Sequence, residues 1–117
     1  EVIVVTTPQE AAAEVAERAG TMASMMHQRV IGVVENMSAF IPPDQPDKSY
    51  ALFGSGGGQT LAQAFDVPLL AQIPMEMAVQ EGGDQGRPIS ISHPSSVSAQ
   101  AFKELAETVA NSLQAIS

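Results

Sequence analysis

Three short stretches of this 117-residue sequence carry residue types that could do chemistry. Gly54-Ser55-Gly56-Gly57-Gly58-Gln59-Thr60 precedes Leu61, Ala62 and Phe65, whose spacing reads as a short helix. Free backbone N–H groups at a helix N-terminus can cradle an anion such as phosphate. The stretch has no Lys to reach the outer phosphates of a nucleotide, so a flexible turn or a partner-contacting loop is the competing reading. Asn36 lies just past a β-branched run, and its amide has the donors and acceptor to pair with the edge of an adenine ring. The other reading is an Asn that caps its own turn. Pro74 and Met75 leave another apolar run, where a proline face and exposed backbone could hold a planar base. Alternatively Pro74 only ends a strand.

Other candidates are weaker. Glu76, Glu81 and Asp84 have no helical spacing that would pair them for acid–base work and read as a solvated acidic loop. His27 and His93 are far apart, and His27 suits the dipole at the end of a helix. Met22, Met25 and Met26 read as core filler. The chain has no cysteine, which excludes a disulfide framework, a thiolate nucleophile and a Cys-ligated metal. No Gly-x-Ser-x-Gly elbow occurs.

Charge narrows the classes further. Thirteen acidic and 5 basic residues give a net charge of −8, which argues against a nucleic-acid surface and against a polybasic membrane patch. No apolar run approaches the ~20 residues of a membrane span. No signal peptide is visible at Glu1-Val2-Ile3, so a cytoplasmic protein is expected. The basic residues are Arg18, Arg29, Lys48, Arg87 and Lys103. A triphosphate needs several cations or a metal, so this chain is expected to lack the means to hold one alone.

The elements that must position these residues are α/β. Val2-Ile3-Val4-Val5 and Val30-Ile31-Gly32-Val33-Val34 read as strands buried on both faces. Between them, Ala12, Val15, Ala16, Ala19, Met22, Ala23 and Met26 mark one helical face, with Thr7, Pro8 and Glu10 arranged as a capping box. Regularity is lost from Met37 to Gly58, through Pro42, Pro43 and Pro46. Leu69 to Ile73 reads as a third strand. A turn or two around 75–79 leads into a loop from Gly82 to Pro88. Ala99, Phe102, Leu105, Ala106, Val109, Leu113 and Ile116 mark a last helix, capped within 95–98. The expectation is a three-stranded parallel sheet with flanking helices. That is few strands for a doubly wound domain, and a Val- and Ile-rich edge needs cover from another segment or subunit.

Four motifs, Val5-Thr6-Thr7-Pro8-Gln9, Gly32-Val33-Val34-Glu35-Asn36-Met37-Ser38, Phe53-Gly54-Ser55-Gly56-Gly57-Gly58 and Gln72-Ile73-Pro74 with Gly82-Gly83-Asp84-Gln85-Gly86-Arg87-Pro88, run in an order that resembles the Mrp-type ATPases. These are MinD-like P-loop proteins of iron–sulfur cluster assembly and carriage. The resemblance implies that residues 1–117 are the carboxyl-terminal part of one P-loop ATPase domain, with the irregular 39–58 loop inside it. It implies ATP and Mg bound by the full-length protein, with Asn36, Pro74 and Met75 contacting adenine. Implied partners are the missing amino-terminal half of the domain, a second copy, and iron–sulfur client proteins. The deviant Walker A loop is absent, so the chain alone is expected to be inactive. The family's Cys-x-x-Cys pair is absent from 39–52, so no cluster is expected on this chain. The alternatives are a non-enzymatic acidic α/β module that binds a protein through 39–58, and a small regulator that holds an anion on its glycine loop.

Overall fold

The computed structural model describes residues 1–114, and Ile116, expected on the last helix, lies outside them. Strands β1 (Val2–Thr6), β2 (Val30–Phe40) and β3 (Leu69–Met75) form one sheet in that order, with both pairings parallel. Helices α1 (Glu10–Met25), α2 (Gly57–Phe65), α3 (Met77–Gln85), α4 (Ile89–Ser92) and α5 (Val97–Gln114) complete the chain. The expected three-stranded parallel sheet with flanking helices is what forms.

Side chains alternate across the sheet, so its two faces differ. On one face Val4, Val33, Leu61, Ala62 and Ala16 make the core beneath α1 and α2. Leu61 is 2% exposed and Val33 fully enclosed. The stripe that α1 buries consists of small residues, Ala16 and Gly20. A Cβ on Gly20 would come within 2.4 Å of the Phe65 ring, so the two helices meet at that glycine. The methionines expected in the core instead point outward, with Met22, Met25 and Met26 all exposed. Ala and Gly let α1 lie close to its neighbours, and no room remains for long thioethers there.

The opposite face carries Ile3, Val5, Val34 and Ile73, met from one side by Phe102 and Leu105 of α5. Cover over β1 is sparse, and Val5 is 58% exposed.

Local signals were right in kind and shifted in detail. The Thr7 hydroxyl donates to Gln9 Oε1 at 2.7 Å and makes no capping bond, and α1 starts after Gln9. The expected capping box therefore does not form. Ser96 Oγ does accept the Ala99 N–H at 3.1 Å, which caps α5 inside the expected window. The stretch read as a loop around Gly82 and Gly83 belongs to α3. Gly82 is there because the Arg87 carbonyl oxygen lies 2.3 Å from where its Cβ would be, and left-handed Gly86 then ends the helix.

Burial predicts a contrast measurable by urea denaturation. Leu61→Ala should lose about 2–5 kcal/mol by leaving a cavity. Met25→Ala should stay within about 0.5 kcal/mol, as expected for an exposed side chain.

Candidate functional site

β2 continues past the point where the sequence loses its regularity, and it does so by bulging. Asn36 pairs with Ile73 and Phe40 pairs with Met75, so four steps along β2 face two along β3. Met37 takes a left-handed φ of 56°, and the Ser38 hydroxyl donates to the Glu35 carbonyl at 3.1 Å and to Glu35 Oε1 at 2.7 Å. Extra residues on one strand bend it and open a gap, and such bulges often sit beside binding sites.

Beside that bulge is a cleft of about 410 Å³ at the carboxyl ends of β2 and β3. Asn36, Met37, Phe40, Pro74 and Met75 line it, with Phe102 across from α5. All three residues chosen from the sequence therefore meet in one place. Each is half-buried. Asn36 Oδ1 accepts the Met37 N–H at 3.0 Å, which orients the amide and leaves its Nδ2 donors and a second Oδ1 lone pair to offer a ligand. Of the backbone expected to be exposed there, two carbonyls each already accept one bond. Pro74 accepts from the Ser98 hydroxyl at 3.3 Å, and Met75 accepts from the Ile41 N–H at 3.0 Å. What remains is a largely apolar slot whose polar lining residues are Asn36, Glu76 and Gln80, a chemistry that suits a planar heterocycle with ring acceptors.

Glu76 is no part of a solvated acidic loop. Its Oε1 accepts the Ser98 N–H at 2.7 Å, placing a carboxylate at the N-terminus of α5 where the helix dipole favours it. Ser98 is fully buried. Glu76 and Ser98 thus fix α5 against the end of β3 and set the far wall of the cleft. Glu81 and Asp84 are exposed, and Asp84 accepts from the Gln80 side chain.

The residue that the sequence reading missed is Glu35, 2% exposed in the middle of the structure. Its Oε2 accepts the Gly58 N–H at 2.8 Å, and its Oε1 accepts from Ser38 and, at 3.3 Å, from Gln72 Nε2. Gly58 lies in the first turn of α2, so the anion at this helix N-terminus is the protein's own carboxylate. That carboxylate takes one of the backbone donors on which the phosphate-cradle reading of the glycine loop relied. Gly58 itself allows the approach, since a Cβ there would meet Glu35 Cβ and Oε2, both at 2.8 Å. A sequence signal did exist: an acid one step beyond a doubly buried strand must find donors, and a glycine-rich helix start supplies them.

Among the described residues there is no group of three or more His, Cys, Asp or Glu able to hold a metal ion, and no helix long and apolar enough to cross a membrane.

A parallel sheet with helices on both faces and a cleft outside the carboxyl ends of its strands is the doubly wound arrangement of nucleotide-binding α/β proteins. The solved structures agree. This chain resembles the septum site-determining protein MinD complexed with Mg-ADP from Pyrococcus horikoshii, with a TM-score of 0.72 and 27% identity over 92% of this chain and 40% of that one. A nucleotide-binding protein in complex with ADP from Archaeoglobus fulgidus is 36% identical, with a TM-score of 0.60 over 73% of this chain and 35% of its own. The chain belongs to the family described as ParA: NUBPL iron-transfer P-loop NTPase, whose family model matches residues 1–110. The iron-sulfur cluster carrier protein of Synechocystis sp. is 48% identical over 108 residues, 92% of this chain. The chain spans 31% and 29% of the lengths of the first two curated relatives it matches. The Mrp-type, MinD-like resemblance read from the motifs is thereby borne out.

Removing the carboxylate that holds α2 should be costly. Glu35→Ala leaves the buried Gly58 N–H unpaired and should cost about 2–4 kcal/mol in urea denaturation.

Proposed function

We propose that this chain supplies the base-binding wall of an ATP site, with Asn36, Pro74 and Met75 contacting adenine. Its carrying observation is the meeting of these three residues in one apolar cleft at the strand ends. Phe40 and the methionines would cover the faces of the ring, and Asn36 Nδ2 would donate to one of its acceptors. The phosphates and their Mg would be held by residues outside this chain. In support, Glu35 already occupies the N-terminus of α2, and all five Lys and Arg side chains are exposed. On this reading residues 1–117 are part of one P-loop domain whose remaining half adjoins the sparsely covered face at Val5. The chain works as a component of an ATP-driven iron–sulfur carrier that is expected to act as a dimer on client proteins. With no cysteine in the chain, the cluster would be cargo carried elsewhere in that assembly.

A second reading is supported by Tyr50, Leu52 and Phe53, exposed apolar residues on the loop after β2. They suit contact with a protein partner.

Adenosine is the fitting probe because it lacks phosphates. Calorimetry should give weak binding, and Asn36→Ala should weaken it by about threefold to tenfold through loss of one hydrogen bond. Equal affinity for both chains would remove Asn36 from the site. ATP turnover by the chain should match buffer, and sustained phosphate release would refute the division of labour.

Cluster ligation yields a separate expectation. Iron–sulfur clusters take soft thiolates, and the loop offers Asp44, Asp47, Lys48 and Tyr50. Anaerobic reconstitution with iron and sulfide should leave no visible absorbance after desalting. A stoichiometric chromophore would return cluster carriage to this chain.

A further inference from the structure

Phe40 belongs to two features at once. It lines the cleft, and its backbone pairs with Tyr50 in an isolated antiparallel bridge. The Phe40 N–H donates to the Tyr50 carbonyl at 2.7 Å, and the Tyr50 N–H donates to the Phe40 carbonyl at 2.9 Å. That bridge closes the proline-rich loop 41–49. The root of the loop is tied to the other wall of the cleft, where the Ile41 N–H donates to the Met75 carbonyl.

The bulge explains why this bridge matters. Between Asn36 and Phe40 the register with β3 breaks, so the regular ladder does not carry through to Phe40. Its place is set by contacts made after the gap: Met75 on one side and Tyr50 on the other. Tyr50 is 48% exposed, and its backbone bonds to Phe40 lie at the open end of the sheet. Each such bond is worth about a fivefold change in population, so the pairing is sensitive to what lies against Phe40. The three prolines narrow the conformations open to the unpaired loop, which lowers the entropy cost of closing it.

We propose that Tyr50 is a positioning residue that holds Phe40 in the cleft through their backbone pairing, so that occupancy of the cleft and pairing of the loop stabilise each other. Coupling of this kind is reciprocal: a base against Phe40 strengthens the bridge, and a broken bridge weakens the base. The loop with its exposed Tyr50, Leu52 and Phe53 thereby reports whether the cleft is filled. This inference rests on the adenine reading of the cleft.

The test uses the 117-residue chain, adenosine, and NMR with amide hydrogen exchange. Adenosine should shift the Asn36 and Met75 resonances and slow exchange at the Phe40 and Tyr50 amides by about threefold or more. Tyr50→Pro removes the donor to the Phe40 carbonyl without touching the cleft, and should weaken adenosine about fivefold. Tyr50→Ala keeps the N–H and should bind within about twofold of the parent chain, which a role for the phenol would not allow. If adenosine shifts Asn36 and Met75 but leaves both amides unprotected, the coupling is wrong and the cleft reading stands. If Tyr50→Pro binds as tightly as the parent, the coupling is equally refuted. If no shift appears at Asn36 and Met75, both fall together. Should Tyr50→Pro fail to fold, amide protection in the parent chain decides alone.

Discussion

The buried carboxylate of Glu35 is the interaction on which the rest is arranged. Taking an ionised carboxylate out of water costs several kcal/mol unless donors replace the lost hydration. Here a backbone amide, a hydroxyl and a side-chain amide replace it, at the N-terminus of a helix. Each donor comes from a different place in the chain: Gly58 from α2, Ser38 from the bulge, Gln72 from β3. Satisfying one charge therefore fixes three relationships. It docks α2 on the sheet, turns β2 out of register after Asn36, and locks β2 to β3.

The consequences separate along the two faces of β2. Glu35 shares the face of Val33, under α2, whereas its neighbour Asn36 shares the face of Val34, toward α5. The same backbone turn that presents Ser38 to Glu35 opens the cleft in which Asn36 stands. α5 then closes the far side because Ser98 is held by both Glu76 and Pro74. The cleft is thus shaped by hydrogen bonds of its own lining residues Asn36, Pro74, Met75 and Glu76, and most of the remaining lining is apolar. That is an economical way to shape a slot for a flat ring, since polar atoms inside it would otherwise need partners of their own.

The legibility of the sequence followed the range of the forces involved. Strands, the βαβ unit, the cap of α5 and the gathering of Asn36, Pro74 and Met75 toward the carboxyl side of the sheet depend on local pattern or on a general rule of parallel sheets, and these were readable. That β2 runs on to Phe40, with Asn36 inside it, was not. Features set by close contact between distant residues were not. The glycine loop looked like an anion site because it was one, and its anion lay 23 positions away on β2. Gly82 looked like a loop breaker because the Arg87 carbonyl that demands it is invisible to periodicity. The methionines of α1 matched a helical face whose buried stripe the size of Phe65 had reserved for Ala and Gly. Glu35 itself was passed over as part of a motif, although a lone acid at the end of a buried strand signals an obligate set of donors.

Electrostatics bears on the division of labour proposed for the nucleotide. The chain carries a net charge of −8, and none of its five basic residues lines the cleft. A polyphosphate approaching this surface meets repulsion, and the Gly58 N–H at the start of α2 is already taken by Glu35. A neutral base meets no such penalty, because its gain comes from leaving water for an apolar slot and from one hydrogen bond. The two halves of a nucleotide thus face opposite energetics here. A surface with these properties favours a neutral ring over a polyphosphate, which is what the proposed division of labour requires.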